Sequence, residues 1–350
     1  MIAQYLEDLE RRIDGAVEEE LMAQWTAFAE GRWSGDAIFS PRRPRPSPPG
    51  LEWPHVLVDD TLDSFELMAL QQLEGCSHAL EQASGALLAV RANYGTSILP
   101  SLFGARLFLM DRDTDTLPTS WPLEGGPEAI RRLLDRGVPD FAPHTLGGRA
   151  LAMGRCFVEL FAPYPRVRRH VHLYHPDLQG PMDLCELLWG SRLYLDIADE
   201  PALVHAFLAL LTETYTRFLE AWQAITPPRP GCAVHWSLLH RGAIMLRDDS
   251  AMNFSPAMFE AFIEPYDQEL LERFGGGAIH FCGRGEHYIH RLPEMYGVNA
   301  VNLSQPEYND METIFRHTVD RGLQIIGLQR QAAEAAVAEG RDLRGRVHCW

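Results

Sequence analysis

The sequence lacks any uninterrupted apolar run close to the roughly 18 residues that a membrane-spanning helix needs. We also expect no leader of the usual kinds, because the first residues, MIAQYLEDLERR, are acidic and amphipathic, unlike a secretion signal or a transit peptide. We therefore expect a cytoplasmic protein with no membrane partner.

Basic residues are scarce relative to acidic ones. The 31 Lys and Arg residues face 48 Asp and Glu residues, which gives a formal net charge of −17. A chain this acidic repels phosphate backbones, and no basic stripe reverses that locally. We expect a small-molecule substrate and no nucleic-acid partner.

Paired cysteines and common catalytic signatures are absent as well. The six cysteines are far apart and form no CxxC pair, at positions 76, 156, 185, 232, 282 and 349. This spacing is not that of a disulfide framework or a structural zinc finger, so we expect reduced thiols. There is no HExxH, P-loop or GxSxG motif, and the GxG at Gly283 and Gly285 has no third glycine, so a dinucleotide site is not supported.

The N-terminal part contains a helical stripe followed by a proline-rich run. Apolar residues recur at three- and four-residue steps between positions 2 and 28, which predicts a helix. The run from Pro41 to Gly50 is rich in Pro and Arg and predicts an extended connector, because Pro fixes φ and removes a donor. We expect residues 1–50 to form a helical arm with a linker, laid on or exchanged with a neighbouring body, and residues 51–350 to form one domain.

The middle of the chain contains four short apolar segments and one clear helix. The segments at 86–90, 107–110, 171–174 and 193–197 are plausible strands. Residues 199–223 predict a helix with Asp199 as its cap, Pro201 in its first turn and a shared apolar face.

The last third alternates short apolar runs with helical segments. The runs end near 247, 281, 303, 328 and 347. Strands that alternate with helices imply parallel pairing and right-handed crossovers. Each run closes on polar residues, namely Asp248 and Asp249, His280 and Cys282, Asn302 and Gln305, Gln329, and His348 and Cys349. Because the C-terminal strand ends of a β/α-barrel converge on one mouth, we predict an α/β fold, a (β/α)8 TIM-type barrel with an N-terminal helical extension and a reaction site at that mouth.

His280 and Cys282 are the first candidates for chemistry. Strand side chains alternate, so these two point the same way, and an imidazole with a thiolate suits zinc. A third ligand is available from Cys349 or His348, which face opposite ways in a regular strand, and we favour Cys349. The alternative is a histidine and a cysteine packed inside the barrel without metal.

Two further groups could act on a substrate. Asp248 and Asp249 could share a proton or orient a metal-bound water, although an Asp paired with Arg247 and a turn-capping Asp would have the same sequence. Arg91 ends another strand and could anchor a carboxylate or close a buried ion pair. The remaining candidates for substrate binding are Asn93, Tyr94, Arg247, Asn302, Gln305, Gln329 and His348.

Several stretches resemble the uroporphyrinogen decarboxylase superfamily. They are residues 175–184, the Asp199-Glu200-Pro201 helix start, residues 248–256 with Pro265-Tyr266 after them, and His280-Phe281-Cys282-Gly283. The likeness covers roughly residues 86–350. It implies a β/α-barrel that is often a homodimer.

The resemblance implies two possible chemistries. One branch of the superfamily decarboxylates a tetrapyrrole without metal, and holds substrate carboxylates with an Arg-rich motif that is missing here, where residues 91–95 occupy the comparable place. The other branch uses zinc to transfer methyl groups between a corrinoid and a thiol such as coenzyme M. In that branch a His-x-Cys and a later cysteine bind the zinc, and His280, Cys282 and Cys349 match this pattern.

We therefore expect a zinc-dependent methyl- or alkyl-transferase that activates a thiol at the barrel mouth. No corrinoid-binding module is visible in the sequence, so a corrinoid would come on a partner protein or as a free substrate. The alternative is a metal-free decarboxylase that acts on a small carboxylated substrate through Asp248, Asp249 and Arg91. A binding protein without chemistry is a third, weaker hypothesis, because five polar strand ends in succession favour an active site.

Overall fold

The computed structural model describes residues 2–350 and shows an α/β protein. The helices are α1 (Ala3–Arg12), α2 (Gly15–Ala29), α3 (Val58–Thr61), α4 (Phe65–Glu81), α5 (Gly126–Arg136), α6 (Leu146–Phe161), α7 (Pro165–His170), α8 (Pro181–Trp189), α9 (Leu193–Asp199), α10 (Pro201–Ile225), α11 (Pro256–Phe262), α12 (Glu264–Phe274), α13 (Met311–His317) and α14 (Arg330–Ala338). None of these helices is both long and apolar enough to span a membrane.

The strands form one large parallel sheet and three small pairs. They are β1 (Ile38–Phe39), β2 (Ala89–Val90), β3 (Leu107–Phe108), β4 (Thr119–Ser120), β5 (His172–Leu173), β6 (Cys232–His235), β7 (Leu238–Arg241), β8 (Ile244–Arg247), β9 (Gly277–Phe281), β10 (Val298–Leu303), β11 (Gln324–Leu328) and β12 (Val347–Cys349). The order in the six-stranded sheet is β1-β12-β11-β10-β9-β8, and every pair in it is parallel.

A second parallel pair, β2 and β5, lies outside that hydrogen-bonded sheet. Together the two groups contain the eight parallel strands expected of a β/α-barrel, in an order consistent with one. No hydrogen-bonded ladder joins β1 to β2 or β5 to β8 within residues 2–350. The parallel α/β architecture is therefore confirmed, whereas closure into a barrel stays a prediction.

The five strands of the last third lie where the sequence predicts them. They end at Arg247, Phe281, Leu303, Leu328 and Cys349. Their side chains alternate between two buried clusters. We call the face that carries Met245, Ala278, Ala300 and Ile326 the inner face. The outer face carries side chains such as Leu246, Ile279 and Val301 and shares its cluster with the surrounding helices.

The middle of the chain departs from two predictions. The segment at 193–197 is helix α9 rather than a strand, because Leu193 and Ile197 lie one helical turn apart and are buried together; so short an apolar run does not distinguish the two periods. By contrast, the segment at 107–110 contains a strand as predicted, β3, which forms a small antiparallel hairpin with β4 outside the parallel sheet. The helix predicted at 199–223 is α10, and Asp199 ends α9 instead of capping α10.

The first fifty residues are built into the fold rather than laid on it as a separate arm. The predicted single helix is two helices, and Asp14 caps the second by accepting hydrogen bonds from the Ala16 and Val17 amides. After α2 the chain forms β1, which pairs in parallel with β12. The sequence pattern missed this strand because it is only two residues long.

The proline-rich run carries a buried ion pair that attaches it to α2. The Arg43 guanidinium donates two hydrogen bonds of 2.7 Å to the Glu18 carboxylate, and the two side chains are only 3% and 4% exposed. Arg43 also donates to the Ala86 carbonyl at 3.0 Å, just before β2. One arginine therefore joins the N-terminal helices, the connector and the strand region.

We predict that Arg43→Ala lowers the free energy of unfolding by about 3–5 kcal/mol, because it leaves the Glu18 carboxylate buried without a partner. The matched control is Arg32→Ala, which breaks a pair with Glu30 whose side chains are 66% and 45% exposed. That change should cost less than about 1 kcal/mol. Urea unfolding of both variants measures the difference, and equal losses would contradict the prediction.

Candidate metal centre

The candidate site is built from neighbouring positions of three adjacent strands. In the register of the sheet, Arg247 lies beside His280, and His280 lies beside Asn302. Two residues further along the same three chain segments are Asp249, Cys282 and Ser304. Because side chains two apart in a strand share a face, the sequence places two rows of polar groups together at the ends of the strands.

The orientation of the His280 ring is set by Asn302. The Asn302 side-chain amide donates to the Ile326 carbonyl at 2.5 Å, which turns its oxygen toward Nδ1 of His280 at 2.6 Å. Nδ1 must then carry a proton, so in the neutral ring the lone pair is on Nε2. Gly327 has a φ of 72°, and a Cβ there would lie 2.9 Å from the Asn302 amide nitrogen, so a side chain at this position would disturb the contact.

Three ligand-type atoms converge beside that nitrogen. Nε2 of His280 lies 3.4 Å from Oδ1 of Asp249 and 3.5 Å from Sγ of Cys282. All three atoms lie within 4.8 Å of one another. Oδ1 of Asp249 is buried and receives no hydrogen bond from the described residues. A nitrogen lone pair, a carboxylate oxygen and a sulfur that face one another are the arrangement that a cation would satisfy.

The loop before α8 holds Asp249 in place. Gln179 donates to Oδ2 of Asp249 at 3.3 Å and to Asp183 at 3.0 Å. Asp183 in turn accepts from the backbone amides of Asp249 at 2.9 Å and Ser250 at 2.8 Å. One carboxylate oxygen of Asp249 is thus anchored while the other remains directed at His280.

The pKa values of the two acidic side chains of the site are shifted in opposite directions. Burial, with the charge of Asp249 as a smaller cause, raises the pKa of the Cys282 thiol to about 11. Burial by itself would raise the pKa of Asp249 too, but a His280 ring protonated at both nitrogens, together with other hydrogen bonds, lowers it overall. Without a metal, Cys282 is a protonated and therefore weak nucleophile, whereas metal coordination would deprotonate it.

A cluster of two arginines and one aspartate adjoins the site. Asp177 pairs with Arg91, and with Arg247 at 2.5 Å. Arg247 also donates to Gln179 at 3.2 Å, and burial lowers its pKa to about 10. Two guanidinium groups share one carboxylate here, so the cluster keeps an excess positive charge that could bind an anionic group. Asp177 lies in the 175–184 stretch but was not among the predicted site residues.

Trp236 is the second residue that the sequence did not predict. Its indole ring centre lies 4.8 Å from that of His280, nearly perpendicular to it, and the Arg247 guanidinium lies 4.3 Å from the indole centroid. Its Nε1–H donates to Asp177 at 3.1 Å. No sequence motif around Trp236 predicts this role, because the residue reaches the site from the β6–β7 hairpin, which is not part of the six-stranded sheet.

The favoured third ligand, Cys349, does not reach this site. It is fully buried in the cluster of the outer face, and its thiol pKa is raised to about 11 by burial. The cause is strand alternation, because its neighbour His348 takes the opposite direction. Asp249 occupies the third position instead, two residues after the end of β8, the strand that borders β9 on the side away from β10.

His348 belongs to an aromatic cluster rather than to the three ligand-type residues. Its ring centre lies 4.5 Å from that of Trp25 and 4.6 Å from that of Trp350. Its Nδ1 accepts from the Gly327 amide at 3.1 Å, and burial lowers its pKa to about 3. It therefore packs as a neutral ring.

Asp248 faces away from Asp249, so the predicted carboxylate pair is not formed. Asp248 is buried against Asp267 of α12, and neither carboxyl group has a hydrogen-bond donor among the described residues other than its partner. Burial is the largest cause that raises the pKa of both, and in Asp267 a hydrogen bond with Asp248 partly offsets it. Burial therefore favours the protonated form of each carboxyl group behind the sheet.

The other predicted substrate-binding residues are scattered. Tyr94 is fully buried and its ring packs near Arg149, away from the strand ends. Asn93 is buried beside Gln71 of α4. Gln305 accepts from the Gly283 amide at 2.6 Å and shapes the loop after Cys282, while Gln329 is exposed and donates to the Ser304 carbonyl. Of the predicted residues, the structure gathers Arg91, Arg247, Asp249, His280, Cys282 and Asn302.

Comparison with known proteins informs the fold. No protein-family model and no curated protein sequence matches the chain. The structure is similar to that of a methyltransferase from Methanosarcina mazei, with a TM-score of 0.62 and 14% sequence identity over 94% of this chain and 92% of that one. At this identity the likeness establishes a shared fold and leaves the chemistry to the residues of the site.

We predict that Asp267→Asn makes the protein more stable at neutral pH, by an amount on the order of 1 kcal/mol. Burial raises the pKa of Asp267 in the folded state. Ionised Asp267 therefore destabilises the fold. This destabilisation is absent below the pKa of Asp267 in the unfolded chain, about 4, and grows as the pH rises above that value. The variant and the natural protein should therefore have similar stability near pH 4 and diverge toward pH 8.

Thermal unfolding across this pH range measures the effect. Glu269→Gln removes an exposed carboxylate from the same helix and is the matched control, with no such divergence expected. If Asp267→Asn follows the pH dependence of the natural protein, the raised pKa of Asp267 is wrong.

Proposed function

We propose that this protein is a zinc-dependent methyl- or alkyl-transferase that activates a thiol, or a similar nucleophile, at the Asp249–His280–Cys282 centre. The observation that carries the proposal is the convergence of three ligand atoms on one point with a buried carboxylate oxygen left without a donor. Nitrogen, sulfur and oxygen are all zinc ligands, and three protein ligands are the usual number at a catalytic zinc, which keeps its fourth position open.

The residues of the chain have separate roles in this proposal. Asp249, His280 and Cys282 would hold the metal, which when bound supplies a Lewis acid that keeps an incoming thiol ionised at neutral pH. Asn302 fixes the His280 tautomer that leaves Nε2 free. Arg91 and Arg247 would bind an anionic part of the substrate through the positive charge that Asp177 leaves uncompensated.

The likeness to a methyltransferase fold agrees with this class of reaction. The methyl donor would be a corrinoid carried by a partner protein, or a free methylated compound. A donor bound beside Asp249, His280 and Cys282 would lie next to the thiol that the metal would activate. Donor and thiol would then meet at one place, which is how positioning lowers the barrier of a group transfer.

A metal-free lyase is the second candidate, and one observation favours it. His280 and Asp249 are close enough to form an ion pair if the ring takes up a proton in place of a metal. The arginine cluster could then hold a substrate carboxylate. The sequence contains no lysine, so such a decarboxylase would have to stabilise its carbanion without a Schiff base to the chain.

We predict that protein purified without chelators contains about one zinc per chain, and that Cys282→Ala abolishes most of it, because two remaining ligands bind zinc poorly. Elemental analysis on tag-free protein gives the metal content. Cys232→Ala is the matched control, since Cys232 is half-buried at the start of β6 and should retain the metal.

The two candidate functions give different results in this experiment. Zinc that is lost from Cys282→Ala and kept by Cys232→Ala supports the transferase and directs assays to thiol acceptors. If neither the natural protein nor the variants bind zinc, even after zinc is added, the transferase proposal fails and the lyase remains.

A further inference from the structure

A hairpin packs on the inner face of the parallel sheet and brings one aromatic side chain to the candidate centre. Strands β6 and β7 pair with each other in antiparallel fashion, through His235 and Leu238 at the closing end. Val234, Leu238 and Leu239 of this hairpin share a buried cluster with Met245, Ala278, Ala300 and Ile326. The small residues of β9, β10 and β11 leave the space that the hairpin fills.

The turn of this hairpin is strained at the position nearest the site. Its two central residues, Trp236 and Ser237, have φ values of 47° and 63°. Tight hairpins favour this geometry, but they normally use Asn or Gly there, because a positive φ is unfavourable for an L-residue with a bulky side chain. A strained residue persists only when its surroundings fix it, and such residues cluster at functional sites.

Three contacts fix the Trp236 side chain. The indole donates to Asp177, lies under the Arg247 guanidinium and packs its ring against His280. Asp177 and Arg247 are themselves paired, so the indole is held in one orientation by a closed set of polar partners. The indole ring is therefore held in one position beside the candidate metal ligand His280, on the inner face of the sheet.

We propose that Trp236 is a specificity-determining residue that limits the size of the thiol or alkyl group admitted to the Asp249–His280–Cys282 centre. This inference rests on the function proposed above. A rigid indole beside His280 takes up the space that a branched substituent would need, while a small unbranched group could lie against its apolar ring. The centre would then select small unbranched thiols by steric exclusion.

The test uses cobalt(II) in place of zinc, because cobalt–thiolate absorption reports when an added thiol reaches the metal. Ethanethiol and 2-methylpropane-2-thiol are titrated into the cobalt-loaded protein. We expect the natural protein to bind the smaller thiol at least about tenfold more tightly, and Trp236→Ala to reduce this preference by about tenfold. Trp236→Phe keeps a ring but loses the hydrogen bond to Asp177, and should retain most of the preference.

Two controls separate size exclusion from loss of structure. Trp121→Ala removes an exposed indole near the β3–β4 hairpin and should change nothing. Trp236→Leu is a second truncation in case the alanine variant does not fold, and it should also admit the larger thiol. If the alanine and leucine variants bind cobalt and keep the natural preference for the smaller thiol, the role of Trp236 is overturned. The same holds if the natural protein binds cobalt but shows no preference. Either result leaves the proposed function standing. A natural protein that takes up no cobalt overturns the proposed function and this role together.

Discussion

The candidate centre depends on the parallel register that places Arg247, His280 and Asn302 side by side. Each strand contributes one polar side chain at this level, and the next level adds Asp249 and Cys282. The register decides which groups can meet, because shifting one strand by a single residue would turn its side chains to the other face. It also explains the separation of the two aspartates, since Asp249 reaches His280 while Asp248 is paired with Asp267 behind the sheet.

The β6–β7 hairpin packs on the inner face of the sheet and fills space that the side chains of the strands leave open. Alanine at positions 278 and 300 of this face would leave a void in an ordinary barrel, and the β6–β7 hairpin occupies that space. The consequence for function is that an aromatic residue from a remote segment lies beside His280. The arginine cluster depends on the same hairpin, because Trp236 contacts both Asp177 and Arg247. The same hairpin therefore packs the core and positions side chains of the candidate site.

Local sequence patterns predicted the last third of the chain well. Alternating apolar runs and helices gave five parallel strands with nearly correct ends, and the His-x-Cys spacing gave two of the three ligand-type residues.

Three features escaped prediction for physical reasons. The choice between Cys349 and Asp249 required knowing which face each strand end presents, and strand irregularities alter that; β11 and β12 shift register between Ile325 and Leu328. Trp236 and Asp177 are distant in sequence from His280 and Cys282, so no local pattern connects them with the site. Strand β1 is too short to produce a periodic signal, although the buried pair of Arg43 and Glu18 fixes the segment that follows it.

The most direct test of the account is the ligand set of the bound metal. Zinc K-edge X-ray absorption on zinc-loaded protein, without added thiol, counts sulfur neighbours separately from nitrogen and oxygen. The account predicts one sulfur at about 2.3 Å, from Cys282, and nitrogen and oxygen neighbours at about 2.0–2.2 Å, including His280 and Asp249. Two sulfur neighbours would contradict it, because a second cysteine would then have to displace Asp249 from the centre.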